Sequence, residues 1–229
     1  MTDAVRIKEL FDRVPNLTDD QRSEYTATLL HMLEYNLVPE ECFDYVGNGS
    51  YKECYALNDE YVIKFCCTAN PTESERYILE EAARNGLIDL FIPCYFCHLE
   101  DYTVPLEYVG EDAGDYSWRY DYENHTDYRY YYDSSNEGNY IVIQPRAEIA
   151  NSDYVPLKRL PFPDAADLKS PAISTSWNEC VHAHYGEVYF KEFLVFCKTY
   201  GIWDLHSDNI GYYNDKPVIL DWMSEKRGN

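Results

Sequence analysis

Asp204-Leu205-His206-Ser207-Asp208-Asn209, followed after eight residues by Val218-Ile219-Leu220-Asp221-Trp222, places the carboxylates of Asp204 and Asp221 and the carboxamide of Asn209 within eighteen positions. Phosphoryl transfer from ATP uses that set of groups. One carboxylate faces the acceptor hydroxyl, while an amide and a second carboxylate hold magnesium against the phosphates. Asp204 fits the first role, and Asn209 and Asp221 fit the other two.

A D-x-x-x-x-N spacing arises often by chance, so its weight depends on a nucleotide site elsewhere in the chain. Phe43-Asp44-Tyr45-Val46 reads as an apolar strand running into the turn Gly47-Asn48-Gly49-Ser50-Tyr51. Cys54-Tyr55-Ala56-Leu57 leads out as a second strand, Asn58-Asp59-Glu60 turns the chain, and Tyr61-Val62-Ile63-Lys64-Phe65 follows as a third. Lys64 is the one cation in that apolar run. A generic hairpin with a snorkelling lysine has the same local pattern. The two constellations together favour a convergent site over two coincidences.

The composition sets the class. With 229 residues and 45% hydrophobic content the chain is long enough for one substantial core or two small lobes. No apolar run reaches the roughly 20 residues of a membrane span, and Met1-Thr2-Asp3 opens no signal peptide, so a cytoplasmic protein is expected. The eight cysteines are then expected as reduced, mostly buried thiols. Cys94-Tyr95-Phe96-Cys97-His98 matches a haem-attachment spacing, and with Cys66, Cys67, His182 or His184 it offers a zinc set, but its strand-like setting favours buried thiols. A net charge of −22 argues against direct nucleic-acid binding and favours basic partners, of which nucleic-acid-binding proteins are the obvious class.

Several elements must position these residues. Ile7, Leu10, Phe11 and Val14 predict a short helix ended by Pro15. Thr18 predicts the N-cap of a second, with Tyr25, Leu29, Met32 and Leu33 on its apolar face. Pro71 to Arg84 reads as a helix closed by Asn85-Gly86, and its glutamates Glu75, Glu80 and Glu81 are candidate partners for Lys64. Ile92 to Leu99 and Tyr140 to Ile143 read as two more strands. Between them, Glu100 to Asn139 holds eleven acidic residues, two arginines and a dense run of tyrosines, an insertion or a binding surface. Gln144 to Glu148 reads as a hinge and Asn151 to Ser176 as a proline-containing loop. Phe190, Phe193, Leu194 and Cys197 then share one face of a helix capped by Gly201, which delivers the chain into Ile202-Trp203-Asp204.

Taken together, G-N-G-S-Y at Gly47, V-I-K at Lys64, D-L-H-S-D-N-I at Asp204 and V-I-L-D at Asp221 resemble the protein-kinase-like superfamily. The closest likeness is to the early serine/threonine kinase of short-tailed lytic bacteriophages, over about residues 43 to 223. The resemblance implies an α+β fold of two lobes: an N-terminal helical extension over 1–40, a five-stranded lobe with a regulatory helix over 41–143 interrupted at about 100–139, and a reduced C-terminal lobe over 144–229. It implies ATP and Mg2+ as cofactors and host proteins as substrates, in the host cytoplasm. The amides of Gly47, Asn48, Gly49, Ser50 and Tyr51 would cover the phosphates, Lys64 would bind them with Glu75 orienting it, and Asp204 would take the acceptor proton. Asn209 and Asp221 would hold magnesium, and His206 would touch the γ-phosphate or support the loop. The chain departs from the pattern at Lys52, Ile202 and Trp222-Met223, and eight residues follow Asp221 in this sequence, so the substrate grip is expected from another surface. Two rival readings are a small-molecule phosphotransferase, from the same D-L-H and D-W features, and a kinase-fold acidic protein that captures a basic host factor.

Overall fold

The computed structural model describes residues 1–48, 52–66, 69–102, 104, 106, 120–121, 126–127, 139–150, 154–155, 173–203, 205 and 207–224. The fold is α+β. Its elements in chain order begin with α1 (Asp3–Arg13), α2 (Asp19–Tyr35), β1 (Asp44–Asn48), β2 (Lys52–Ala56), β3 (Tyr61–Cys66), α3 (Ala69–Arg84) and β4 (Tyr95–Leu99). Next come β5 (Tyr120–Asp121), β6 (Thr126–Asp127), β7 (Asn139–Pro145), β8 (Glu148–Ile149), β9 (Tyr154–Val155) and β10 (Ile173–Ser174). The chain continues through α4 (Thr175–Tyr185), α5 (Glu187–Tyr200), β11 (Ile202–Trp203), β12 (Ile210–Tyr213), β13 (Lys216–Ile219) and β14 (Met223–Ser224). Two compact units result, Met1–Ala69 with Cys94–Gln144, and Asn70–Pro93 with Pro145–Asn229. Helix α3 thus belongs with the second unit, and α1 and α2 with the first. No helix among the described residues is long and apolar enough to cross a membrane.

The first unit is built on a sheet of order β1-β2-β3-β7-β4. Period-two alternation gives it two different faces. Tyr55, Tyr61, Ile63, Phe65, Cys97, Leu99, Ile141 and Ile143 join Ile7, Leu10, Phe11, Leu29 and Met32 in one core, so both N-terminal helices cover that face. Both helices form where the sequence predicts them. Thr18 makes a full capping box with Gln21, and Asn36 closes α2 in the left-handed conformation. Helix α1 is also pinned to the sheet edge by polar groups. Arg13 donates to the Phe96 carbonyl at 2.6 Å and Arg6 to the His98 carbonyl at 3.3 Å, covering outward-facing groups of the edge strand β4. Buried Asp3 accepts the amides of Glu100, Asp101 and Tyr102 at 2.7–3.1 Å, which satisfies the turn that follows β4.

Two sequence expectations shift. The strand predicted from Ile92 begins at Tyr95, because the Ile92 amide donates to the Ile219 carbonyl at 3.0 Å within the second unit, and Pro93 brings no amide to continue a ladder. Helix α4 lies across the end of the stretch read as loop. Its anchor is Trp177, fully buried, whose indole N–H donates to the Gly211 carbonyl at 3.1 Å. The other core of this unit comes from α5, where Phe190, Phe193, Leu194 and Cys197 are all buried and Gly201 ends the helix at φ 62°. Strands β13, β12 and β8 make a three-stranded sheet, so Glu148 of the expected hinge is a strand residue.

Candidate functional site

In the second unit, β12 and β13 form an antiparallel hairpin whose first and last partners are Ile210 and Ile219. The residues at its open end therefore become neighbours. Asn209 ends a single 3-10 turn (Ser207–Asn209), and its carbonyl accepts the amides of both Leu220 and Asp221, at 2.8 and 3.2 Å. Two residues twelve positions apart in sequence are thus clamped side by side by one carbonyl. Asp221 is half-buried, and its Oδ1 accepts the amide of Trp222 at 2.9 Å, which orients the carboxylate. A carboxamide and a carboxylate are hard oxygen donors of the kind Mg2+ prefers, so this pair fits the ion expected there. Among the described residues no group of three histidine, cysteine or acidic side chains is placed to hold a metal.

Asp204 and His206 lie outside the described residues. The positions flanking Asp204 are fixed by burial: Ile202 and Leu205 are both in the core, and β11 pairs with β14 through Ile202↔Ser224 and Trp203↔Met223. Phe91, Trp177 and Gly211, three residues that sequence reasoning passed over, pack around the β12–β13 hairpin and the segment that follows it. Gly211 sits so close to β8 that a Cβ there would overlap the Glu148 carbonyl oxygen and lie 3.0 Å from Leu220 Cδ1. The apolar character of Phe91 was visible, but its role depends on a parallel bridge to Ile219, which no local pattern announces.

Lys64 belongs to the first unit. It lies inside β3, directly across from Cys54 of β2, and alternation puts it with Val62 and Cys66 on the face turned away from the N-terminal helices. That face carries the smaller cluster of Cys66, Tyr140 and Val142, with Cys94 and Phe96 packed beside it. Gly47 follows a bulge in the β1–β2 pairing, and Asn48 is the last residue of β1. Space above Gly47 is open to 4 Å. Gly49, Ser50 and Tyr51 lie outside the described residues, as does most of the acidic insertion.

The three candidate glutamates of α3 separate by environment. Glu80 is exposed and pairs with Arg84 at 3.7 Å. Glu81 is occupied, accepting the Tyr200 hydroxyl at 2.6 Å and pairing with Arg84. The Tyr200 hydrogen bond, aided by Arg84, holds the Glu81 carboxyl below the usual carboxylate range. Glu75 is buried, a state that a carboxylate tolerates only with partners.

Cys94 and Cys97 point to opposite sides of β4. Cys97 is in the helix-side core, where burial pushes its thiol up to about 11, whereas Cys94 packs in the other cluster. The pair cannot converge on one ion or one haem. Comparison with protein-family models, with curated proteins and with solved structures finds no match to this chain.

Proposed function

We propose that the protein is a kinase of the phage type, transferring the γ-phosphoryl group of ATP to serine or threonine hydroxyls of host proteins with Mg2+ as cofactor. The observation that carries the reading is the carbonyl clamp of Asn209 on Leu220 and Asp221, which brings the backbones of the two proposed magnesium ligands side by side. Three further features support it. The first unit is built on a five-stranded sheet, the strand number the resemblance implies for a nucleotide-binding lobe, and α3 follows its third strand in the chain while grouping with the second unit. Lys64 stands on the sheet face that the N-terminal helices leave uncovered. Glu75 is the buried acid of α3, while Glu80 and Glu81 are solvated or engaged elsewhere.

In this mechanism Lys64 would hold the α- and β-phosphates, with the role of orienting it assigned to Glu75 by the resemblance alone, and the amides of the Gly47–Tyr51 turn would cover the phosphate chain. Asn209 and Asp221 would hold magnesium, which would neutralise charge on the transferring phosphates. Asp204 takes the proton of the acceptor hydroxyl as its oxygen bonds to the γ-phosphorus, and the bridging bond breaks to release ADP. His206 would touch the γ-phosphate or support the loop. The net charge of −22 favours a second reading, capture of a basic nucleic-acid-binding host protein by a fold with little transfer activity.

One experiment separates the two. Purified protein with labelled ATP and Mg2+ is incubated with and without host lysate, alongside Asp204→Asn and Asp221→Asn. Label on host proteins, lost in both variants, is the expected result. Melting temperature should also rise with Mg-ATP, since a ligand at about a hundred times its dissociation constant adds about 2.7 kcal/mol to the folded state. No rise at millimolar Mg-ATP would remove the kinase reading, and a basic protein captured without label would leave the binding one.

A further inference from the structure

The segment that carries Asp221 is held on both sides. Upstream, the Asn209 carbonyl takes its amide and that of Leu220. Downstream, Trp222 is 2% exposed and meets Phe91 edge to face, with 5.0 Å between ring centres. Phe91 is itself immobilised, by its backbone bridge to Ile219, by the neighbouring Ile92–Ile219 hydrogen bond, and by its ring against Phe196. Two residues further on, β14 pairs with β11, and the Ser224 hydroxyl donates to the Tyr200 carbonyl at 2.7 Å. Tyr200 ends α5, and its hydroxyl is bonded to Glu81 of α3.

Turning the Asp221 carboxylate therefore means breaking the Trp222 amide bond to Oδ1, and moving the Asp221 backbone means drawing a buried indole out of its pocket. It also strains the β11–β14 ladder. Neither restraint depends on a metal. The indole N–H has no hydrogen-bond partner among the described residues, so the tryptophan contributes ring area here and no polar anchor.

We propose that Trp222 is the positioning residue for the metal-binding carboxylate, with Ser224 as a second peg, so that Asp221 stands in its binding orientation before the ion arrives. The inference rests on the reading of Asn209 and Asp221 as magnesium ligands. It assigns a role to the position where the chain departs most from the resembled motif, and it acts through supporting contacts of the kind that set metal affinity elsewhere.

The test is the Mg2+ dependence of binding of a non-hydrolysable ATP analogue by calorimetry, in the full chain. Mn2+ binding without nucleotide, followed by electron paramagnetic resonance, is the second readout. Trp222→Ala is expected to raise the half-saturating metal concentration about tenfold or more while nucleotide binding in EDTA stays unchanged. Trp222→Phe, which keeps an aromatic edge against Phe91 while giving up the N–H and part of the buried ring, is expected to lie between the wild-type value and that of Trp222→Ala, nearer the wild type. Ser224→Ala should raise it severalfold with an unaltered circular dichroism spectrum. If Trp222→Ala does not fold, Phe91→Leu, which keeps apolar volume and withdraws the aromatic partner, carries the same expectation. Folded variants with wild-type metal dependence overturn this inference alone. A wild type that binds no Mg-ATP overturns the kinase reading and this inference with it.

Discussion

Gly211→Ala adds one methyl group to the residue that joins the small sheet to the candidate metal loop. A Cβ there would overlap the Glu148 carbonyl oxygen, a backbone atom that cannot swing aside, and would press on Leu220 Cδ1 at 3.0 Å. Strand β8 must retreat by about 1 Å to restore contact distance. That movement disturbs the Gly211↔Ile149 and Tyr212↔Glu148 pairings and the Ala150–Ile210 hydrogen bond of 2.9 Å. Overpacking of this kind costs about 1–3 kcal/mol, and losing two hydrogen bonds adds about 1 kcal/mol each. The sum is about 3–5 kcal/mol. At about 2–4 °C per kcal/mol for a chain of this size, the melting temperature should fall by about 6–20 °C. Because Leu220 shares the Asn209 carbonyl with Asp221, the change should also weaken Mg-ATP binding. Differential scanning calorimetry and analogue binding measure the two effects. A variant that melts within about 2 °C of the wild type would refute the packing argument, since 0.5–1 kcal/mol is all that such a shift allows.

Gly47→Ala is the contrasting substitution, because no described residue lies within 4 Å of its added methyl; stability measured by urea titration should stay within about 0.5 kcal/mol while Mg-ATP affinity falls severalfold. Asp3→Asn removes the charge that accepts three backbone amides and should cost about 2–4 kcal/mol in the same titration, since bonds to a charged group are worth about 1.5–3 kcal/mol each and the new amide can replace only part of them. For Tyr200→Phe the readout is the Glu81 carboxyl followed by carbon NMR. Its folded pKa is depressed, so its contribution is present above the unfolded value of about 4.3 and is lost as pH falls through the folded one; the variant should move the titration up and reduce that acid-range loss, leaving the part due to Arg84.

Much of the first unit was legible in the sequence. The apolar spacing of Ile7, Leu10, Phe11 and Val14, the Thr18 cap and the alternation around Lys64 are local patterns, and each is read by counting along the chain. The glycine that ends α5 was equally local. Helix α4 was not, because its stability comes from Trp177 reaching a carbonyl of the distant β12, and the flanking prolines hid its start. The beginning of β4 was misread for a related reason: the apolar run from Ile92 is continuous, yet its first residues pair with Ile219 in another part of the chain.

The candidate site divides in the same way. The sequence by itself determined which side chains are available: a lysine inside an apolar strand, a carboxamide, carboxylates at fixed spacing, and three glutamates on one helix. Those are properties of residue type and of intervals along the chain. Only the tertiary structure decided that one Asn209 carbonyl would hold Asp221, that Glu81 would be taken by Tyr200 while Glu75 was buried, and that Cys94 and Cys97 would face opposite cores. Such outcomes depend on contacts between residues far apart in sequence, whose geometry is set by the packing of whole elements and leaves no periodic trace in the chain.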